Sequence, residues 1–246
     1  MNKLIVAGIG PGAYEMLTIQ VERALRECDV IAGYVKYVDL LKPYFPEKEI
    51  LSSPMMKEEE RCMRALEKAS DGKKVVFVCS GDAGVYGLSG LLYKLAEKFP
   101  TVQIEVMPGI TAALSGSALL GAPLICDFAV ISLSDHLTPW KKISAKLKAA
   151  ASADFCIVLY NPSSKKRSDY LQRACNLISE LIPDDRPCGY VKNIGRQGEE
   201  VHTCTFSELK NTSVDMFTTV FIGNSLTYQK DGKLITPRGY ASEVNA

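Results

Sequence analysis

The sequence predicts an α/β protein made of two lobes. Its 246 residues are enough for one large domain or two small ones. Apolar runs of strand length, rich in β-branched residues, alternate with helical stretches along the chain, which is typical of a sheet flanked by helices. Pro108-Gly109 and Gly121-Ala122-Pro123 interrupt this pattern near the middle. We place the boundary between these breaks, with lobes at residues 1–115 and 116–246.

The sequence of the first lobe predicts four strands with helices between them. The strands are expected at residues 4–7, 30–33, 75–79 and 102–107, and the helices at 18–27, 57–70 and 87–99. Thr18 suits the N-cap of the first helix, because its hydroxyl can accept from a free amide of the first turn. The alternation predicts a mostly parallel sheet with helices on both faces.

The second lobe begins with a helix of small residues at 110–120. Five strands are then expected at residues 128–132, 155–160, 188–192, 200–205 and 216–222, with helices at 140–151 and 168–182. Asp231-Gly232 is a tight-turn signal between 226–229 and 233–235, so these segments predict a hairpin.

Composition excludes several classes of protein. The net charge of +1 gives no indication of a nucleic-acid partner. No apolar run approaches the roughly 18 residues of a membrane span, and the first residues read as a strand rather than a signal peptide. Eight cysteines lack any Cys-x-x-Cys spacing, so we interpret them as reduced core thiols of a cytoplasmic protein without a bound metal.

The first glycine-rich loop is GIGPGA at residues 8–13, and its spacing nominally fits the dinucleotide pattern G-x-G-x-x-G/A. Pro11 removes a backbone donor, the next helix starts only near Thr18, and Asp29 precedes the second strand. Three interpretations stay open: a tight turn without a ligand, a nicotinamide or flavin site, and a loop beside a different ligand.

The second glycine-rich loop, SGDAGVYG at residues 80–87, separates a buried strand from a helix. Its glycines allow the main chain to come close to a ligand, and its amides can bind polar groups. The carboxylate of Asp82 disfavours a bare phosphate and favours a ligand with hydroxyl, amino or cationic groups. Alternatively, Asp82 caps the helix that follows.

Several segments together resemble the tetrapyrrole methylases. They are GIGPG at 8–12, SGDAGVYG at 80–87 and MPGITAA at 107–113. Longer segments resemble one branch, the precorrin-3B or cobalt-precorrin-3 C(17)-methyltransferases: GAPL at 121–124 with Asp127-Phe128, ISLSDHLTPW at 131–140 and LYNPSS at 159–164. The resemblance covers nearly the whole chain. One departure is Ala13, where many members carry an acidic residue.

The resemblance implies a class III methyltransferase of two α/β lobes with an active-site cleft between them. The cofactor implied is S-adenosylmethionine, which leaves as S-adenosylhomocysteine. The residues that the resemblance places against it are Pro11, Gly81, Asp82, Val85, Thr111, Ala112, Asn161, Asn193 and Ile194.

The implied substrate is a macrocycle fringed with carboxylates, which cationic side chains and polar donors recognise. The candidates for binding it are Ser132, Arg167 and Arg196, with Lys165, Lys166 and Arg61 as further possibilities. Asp135 or His136 is the candidate for moving a proton during ring contraction. The alternatives are solvated surface charges and, around residue 135, turn chemistry before Pro139-Trp140. Trp140 is interpreted as a core anchor.

The predicted function is methyl transfer to C-17 of a precorrin-3-type tetrapyrrole, with contraction of the ring, in cobalamin biosynthesis. Methyl transfer needs an aligned nucleophile rather than a catalytic triad, which suits a chain with only two histidines. The resemblance further implies a homodimer. The alternatives are a methylase acting on another ring carbon such as C-11, a nicotinamide-dependent oxidoreductase, and a tetrapyrrole carrier.

Overall fold

The computed structural model describes residues 2–164 and 167–239. Lys165 and Lys166, two of the further substrate-binding possibilities, lie outside the described residues. The chain divides into two compact units, Met1–Thr111 and Ala112–Ala246. The domain limits of 1–115 and 116–246 stay a prediction.

The first unit is built on a parallel sheet, as predicted, but the sheet has five strands rather than the four expected. Its strands are β1 (Asn2–Gly8), β2 (Val30–Tyr34), β3 (Glu49–Ser53), β4 (Val75–Cys79) and β5 (Val102–Met107). They lie in the order β3-β2-β4-β1-β5, and every neighbouring pair is parallel. The helices are α1 (Ile19–Glu27), α2 (Val35–Leu41), α3 (Glu58–Ser70) and α4 (Ser89–Ala96).

Alternate residues of these strands enter two separate cores, because successive side chains of a strand point to opposite faces. Phe77 packs with residues of α3 and α4, whereas its neighbours Val76 and Val78 pack with residues of α1 and α2. Helices therefore cover both faces, as the alternation predicts. The Thr18 hydroxyl caps α1 by accepting from the Val21 amide at 3.2 Å, which confirms the predicted cap.

The second unit has a mixed sheet. Its strands are β6 (Gly121–Ala122), β7 (Phe128–Ser132), β8 (Cys156–Tyr160), β9 (Pro187–Lys192), β10 (Glu200–Thr205), β11 (Thr218–Ile222), β12 (Tyr228–Lys230) and β13 (Lys233–Ile235). The main order is β10-β9-β11-β8-β7, in which only β7 and β8 are parallel neighbours. The helices are α5 (Ala112–Leu120), α6 (Trp140–Ser152), α7 (Tyr170–Ile178) and α8 (Phe206–Lys210).

Both faces of this second sheet are also covered. One core joins the sheet to α6, α7 and α8 through Ile143, Leu171 and Phe206. The other joins it to α5 and β13 through Ala113, Leu120 and Leu234. The predicted hairpin is formed by β12 and β13, and β13 also pairs in parallel with β6. The described helices include none that is both long and apolar enough to cross a membrane.

Arg61 of α3 is almost fully buried, with 2% of its surface exposed. Its Nη1 donates to the Ser53 hydroxyl at 2.5 Å and to the Pro54 carbonyl at 3.1 Å. The guanidinium thus holds the chain that leaves β3. Burial removes Arg61 from contact with a large substrate, so we interpret it as a structural residue.

Replacing Arg61 with methionine is expected to lower the free energy of unfolding by about 2 kcal/mol or more, because the Ser53 and Pro54 oxygens lose a buried donor. Urea unfolding measures the change. Arg64→Met is the matched control, since Arg64 is exposed on the same helix. Equal stability of the two variants would contradict the structural role.

The eight cysteines are free thiols, six of them buried. Burial raises the pKa of Cys62 and of Cys175 to about 12, from an ordinary 9.0. We therefore expect iodoacetamide at pH 8 to leave the buried thiols unmodified until urea unfolds the chain, because the thiolate is the reactive form. Folded stability should fall as the pH rises above 9, since unfolded thiols then ionise first. Rapid labelling of all eight in the native protein, read by mass spectrometry, would contradict this burial.

Candidate active site

Three glycine-rich loops of the first unit meet at the end of its sheet where the strands have their carboxyl ends. They follow β1, β4 and β5, which are neighbours and parallel, so their carboxyl ends lie side by side. Gly10 and Gly81 join the first two loops through a pair of main-chain hydrogen bonds of 3.0 and 2.7 Å. Ligands of open parallel sheets commonly bind at this edge.

Glycine is required here because main chain packs directly on main chain. A Cβ added at Gly109 would lie 2.2 Å from the Gly81 carbonyl oxygen and 2.4 Å from that of Gly8. A Cβ added at Gly8 would lie 2.6 Å from the same Gly81 oxygen. These distances are far inside van der Waals contact, so the three loops fit together only without side chains at these positions.

Asp82 ties the second loop to the third. Its Oδ1 accepts from the Gly84 and Val85 amides at 2.7 and 3.1 Å, and its Oδ2 accepts from the Gly109 amide at 2.9 Å. Asp82 does not cap α4. The N-cap of that helix is Leu88, and no side chain makes a capping hydrogen bond there. Asp82 therefore acts as a main-chain clamp. Its predicted contact with the cofactor stays a prediction.

The dinucleotide interpretation fits this edge poorly. A short 3-10 turn, Tyr14–Met16, follows the first loop, and α1 begins only at Ile19. The first loop therefore does not lead directly into a helix N-terminus that could bind a pyrophosphate. The Gly10 amide is already bonded to Gly81.

The same loops fit a sulfonium ligand better. Residues 8–13, 80–87 and 108–112 contain no lysine or arginine, and Asp82 is their single carboxylate. Main-chain carbonyls and small side chains can surround a cation without opposing charge. Of the cofactor residues predicted in this unit, Pro11 and Gly81 are buried, whereas Val85 and Thr111 are half-buried.

In the second unit the predicted site residues also gather at one sheet edge. Strands β8 and β9 are both antiparallel to β11, and β7 is parallel to β8, so β7, β8 and β9 all end at the same edge. The predicted site residues that lie at the ends of those strands or in the segments that follow them are Ser132, Asp135, His136, Asn161, Arg167, Asn193, Ile194 and Arg196.

Two asparagines follow β8 and β9 in the left-handed conformation, with φ of 52° at both Asn161 and Asn193. Asparagine tolerates this region better than most residues. Asn161 Nδ2 donates to the Ser132 hydroxyl at 3.0 Å, which joins the ends of β8 and β7. Asn193 Nδ2 donates to the Gly198 carbonyl at 3.1 Å and closes the loop after β9.

Ile194 and Arg196 lie in the loop closed by Asn193. The Ile194 side chain is 5% exposed and packs in the core beneath α5, which leaves its main chain as the part available to a ligand. The Arg196 guanidinium lies 5.9 Å from the centre of the Phe217 ring. Ala112, also predicted to contact the cofactor, is half-buried at the start of α5.

Asp135 lies in the loop after β7 and joins two residues that precede or begin α7. Its Oδ1 accepts from Arg167 Nε at 2.6 Å, and its Oδ2 accepts from the Tyr170 hydroxyl at 2.5 Å. Hydrogen bonding from Tyr170, together with Arg167, lowers the pKa of Asp135 below its ordinary value. The adjacent His136 is exposed, and Leu137 beyond it is 90% exposed.

Sequence reasoning missed three polar contributors. Tyr170 and Arg173 belong to α7 and pack around the Trp140 ring, which lies 4.8 Å from that of Tyr170. The Tyr160 hydroxyl accepts from the Ala113 amide at 2.6 Å, at the N-terminus of α5. Each side chain is half apolar and fits a strand or helix pattern, so no local signal marks its polar end.

Among the described residues, no three histidine, cysteine or acidic side chains form a group able to hold a metal.

Comparisons with known proteins agree with this architecture. A family model described as Tetrapyrrole (Corrin/Porphyrin) Methylases matches residues 3–210. A relative from Salmonella typhimurium, named a probable cobalt-factor III C(17)-methyltransferase, is 42% identical over 96% of this chain and 99% of its own length. A Sinorhizobium relative, named precorrin-3B C(17)-methyltransferase, is 36% identical over 97% of each chain.

A solved structure of the methyltransferase CobJ superimposes with a TM-score of 0.88 at 32% identity, covering 96% of this chain and 100% of that one. The family match spans both units of the structure, including the three glycine-rich loops and the ends of β7, β8 and β9. The chain therefore belongs to the tetrapyrrole methylase family.

Proposed function

We propose that this protein transfers a methyl group from S-adenosylmethionine to C-17 of a precorrin-3-type tetrapyrrole and contracts the macrocycle, in cobalamin biosynthesis. The observation that carries the proposal is the likeness to C(17)-methyltransferases along nearly the whole chain, at 42% and 36% identity. The segment ISLSDHLTPW at 131–140, which surrounds Asp135, lies inside the matched region.

S-adenosylmethionine, when bound, supplies a methyl carbon that is already electrophilic, and the carbon that attacks it belongs to the substrate. The task left to the chain is placement. In the first unit, the main chain around Pro11, Gly81 and Val85 would hold the donor, with Asp82 fixing the loop. The further residues proposed to contact it are Thr111, Ala112, Asn161, Asn193 and Ile194.

Substrate binding is proposed for Ser132, the last residue of β7, and for Arg167 and Arg196, which follow β8 and β9. Guanidinium groups suit carboxylates because they offer paired donors in one plane. Of the two residues predicted to move a proton, His136 is exposed, and imidazole is the side chain that most often serves as a general acid or base. We retain His136 as the proposed proton-transfer residue of the ring contraction.

The test is anaerobic incubation of the purified protein with S-adenosylmethionine and either metal-free precorrin-3B or its cobalt-bearing counterpart. We expect one added methyl by mass and its location at C-17 by NMR, with the cobalt-bearing substrate preferred because the cobalt-factor relative is the more similar one. A methyl at C-11 would replace this proposal with the alternative methylase. Methylation at no carbon, with tetrapyrrole binding retained, would favour a carrier.

Calorimetry separates the cofactor classes independently of the substrate. We expect S-adenosylhomocysteine to bind and NADH to give no heat of binding; the reverse would favour the oxidoreductase. We further propose that the protein forms a homodimer, which the family resemblance supports, and acts in the cytoplasm, which its free cysteines support. Light scattering coupled to gel filtration tests the dimer.

A further inference from the structure

Two hydrogen bonds hold the Asp135 carboxylate, and they indicate a role other than proton transfer. Arg167 Nε donates to one carboxylate oxygen and the Tyr170 hydroxyl to the other. Both contacts are short and both partners belong to one short stretch of chain at the start of α7. The carboxylate is thereby fixed in one orientation, as a hydrogen-bonded charged group generally is.

The charges in this cluster are stable near neutral pH. The Tyr170 hydrogen bond lowers the pKa of Asp135, so Asp135 stays a carboxylate with no proton to give. The same hydrogen bond raises the pKa of Tyr170, so Tyr170 keeps its proton. Neither group changes its charge in the range where catalysis runs, which favours a positioning role.

Arg167 is the member of the cluster that can reach a ligand. Its side chain is 29% exposed, and its Nε is taken by Asp135. Among the residues that the structure describes, none accepts a hydrogen bond from its Nη atoms, so the outer edge of the guanidinium is open to an anion. An arginine held at Nε by a carboxylate presents this edge in a fixed plane, which is how arginine recognises carboxylates.

Aromatic packing holds Tyr170 itself. Its ring lies 4.8 Å from the Trp140 ring, and the Arg173 guanidinium lies 4.3 Å from the Trp140 centroid and 4.7 Å from that of Tyr170. Tyr170 is only 8% exposed. The hydroxyl that meets Asp135 is thus set by the packing of α6 against α7.

We propose that the Arg167 guanidinium binds a carboxylate side chain of the tetrapyrrole, and that Asp135 and Tyr170 are positioning residues that hold it for this purpose. The inference rests on the proposed function for the identity of the ligand. It assigns Asp135 a role in affinity for the substrate rather than in proton transfer, and it adds Tyr170, which has no other assigned part.

The test measures binding of uroporphyrin III, a stable tetrapyrrole with eight carboxylates, by quenching of Trp140, the only tryptophan of the chain. We expect Arg167→Gln to weaken binding by about 10- to 100-fold, the range of a lost charge-assisted pair. Asp135→Asn and Tyr170→Phe should each weaken it by about 3- to 30-fold, since they only misplace the arginine. Affinity for S-adenosylhomocysteine, measured by calorimetry, should stay within about twofold.

Matched controls are Asp185→Asn and Tyr228→Phe, which alter exposed residues outside the cluster and should bind uroporphyrin III as the wild type does. The double variant Arg167→Gln with Tyr170→Phe should bind no more weakly than Arg167→Gln alone, because Tyr170 acts through Arg167. Equal further loss in the double variant would contradict that linkage.

Other outcomes would overturn the inference. They are wild-type affinity in Asp135→Asn and Tyr170→Phe, parallel loss of S-adenosylhomocysteine binding in all variants, or no saturable uroporphyrin binding by the wild type. A fall in methyl-transfer kcat for Asp135→Asn, with KM unchanged, would return Asp135 to proton transfer. Failure of C-17 methylation with these binding losses intact would instead reject the proposed function and leave the carboxylate site standing.

Discussion

Replacing Gly109 with alanine is expected to lower the free energy of unfolding by about 3–5 kcal/mol, at or above the upper end of the usual cost of overpacking. The new Cβ would lie 2.2 Å from the Gly81 oxygen and 2.4 Å from the Gly8 oxygen. Both are main-chain atoms, which cannot rotate away as a flexible side chain would. Relief requires the loop after β5 to move away from the loops after β1 and β4, so we also expect binding of S-adenosylhomocysteine to be lost.

Urea unfolding and calorimetry measure these two effects. Gly90→Ala is the matched control, because Gly90 lies in α4 and a Cβ there meets no atom within 4 Å. That control should be slightly more stable than the wild type, by about 0.5–1 kcal/mol, since alanine favours helix over glycine. A Gly109→Ala variant as stable as the Gly90→Ala variant would contradict the close packing of the three loops.

Replacing Asp82 with alanine is expected to be the next most damaging change. Three amides, those of Gly84, Val85 and Gly109, lose their acceptor at once. We expect a loss of about 2–4 kcal/mol in unfolding free energy, discounted for partial exposure, because each donor was bonded to a charged oxygen. Cofactor affinity should weaken by about 1–3 kcal/mol as the second and third loops separate.

Asp82→Asn distinguishes shape from charge at this position, because its amide keeps one acceptor oxygen where the carboxylate has two. We expect its stability to lie between those of the wild type and of Asp82→Ala. Asp71→Ala, which changes an exposed carboxylate after α3, is the matched control and should change neither quantity. Unchanged affinity for S-adenosylhomocysteine in Asp82→Ala would remove Asp82 from the cofactor site.

The buried elements of the fold could be predicted from the sequence because their patterns are strong. Strands β4 and β5 have the predicted bounds, and α3 differs by one residue at its start. Sequence reasoning left out four segments, all of them short and weakly patterned: α2, β3, β6 and α8. β3 is an edge strand in which Glu49, Ser52 and Ser53 interrupt the apolar pattern, and α2 has only seven residues.

Several predicted ends were too long for local reasons. The expected strand at 216–222 begins only at Thr218, because Asp215 Oδ1 accepts from the Phe217 amide and holds a turn there. The expected helix at 168–182 covers only Tyr170–Ile178. The antiparallel pairing of β9, β10 and β11 also lay beyond prediction, since pairing direction depends on how distant segments meet.

The candidate site could also be predicted only in part. The spacing of the glycines indicates loops that pack closely. In the structure, contacts between the main chains of these loops account for the glycines without a ligand. The partners of Asp82 and Asp135 could not be predicted, because Gly109 and Tyr170 are 27 and 35 residues away along the chain. Only the folded sheet edges bring such residues within hydrogen-bonding distance.

The junction of Gly8, Gly81 and Gly109 also bears on when the first unit becomes able to bind a ligand at its three loops. Its parts are separated by most of the length of that unit, Met1–Thr111, so a chain that ends before Gly109 lacks the complete junction. A ligand that recognises the junction should therefore bind only the completed unit, and its melting temperature should rise with the logarithm of the ligand concentration once that exceeds the Kd. Thermal shift with S-adenosylhomocysteine would then report correct folding and donor recognition in a single measurement.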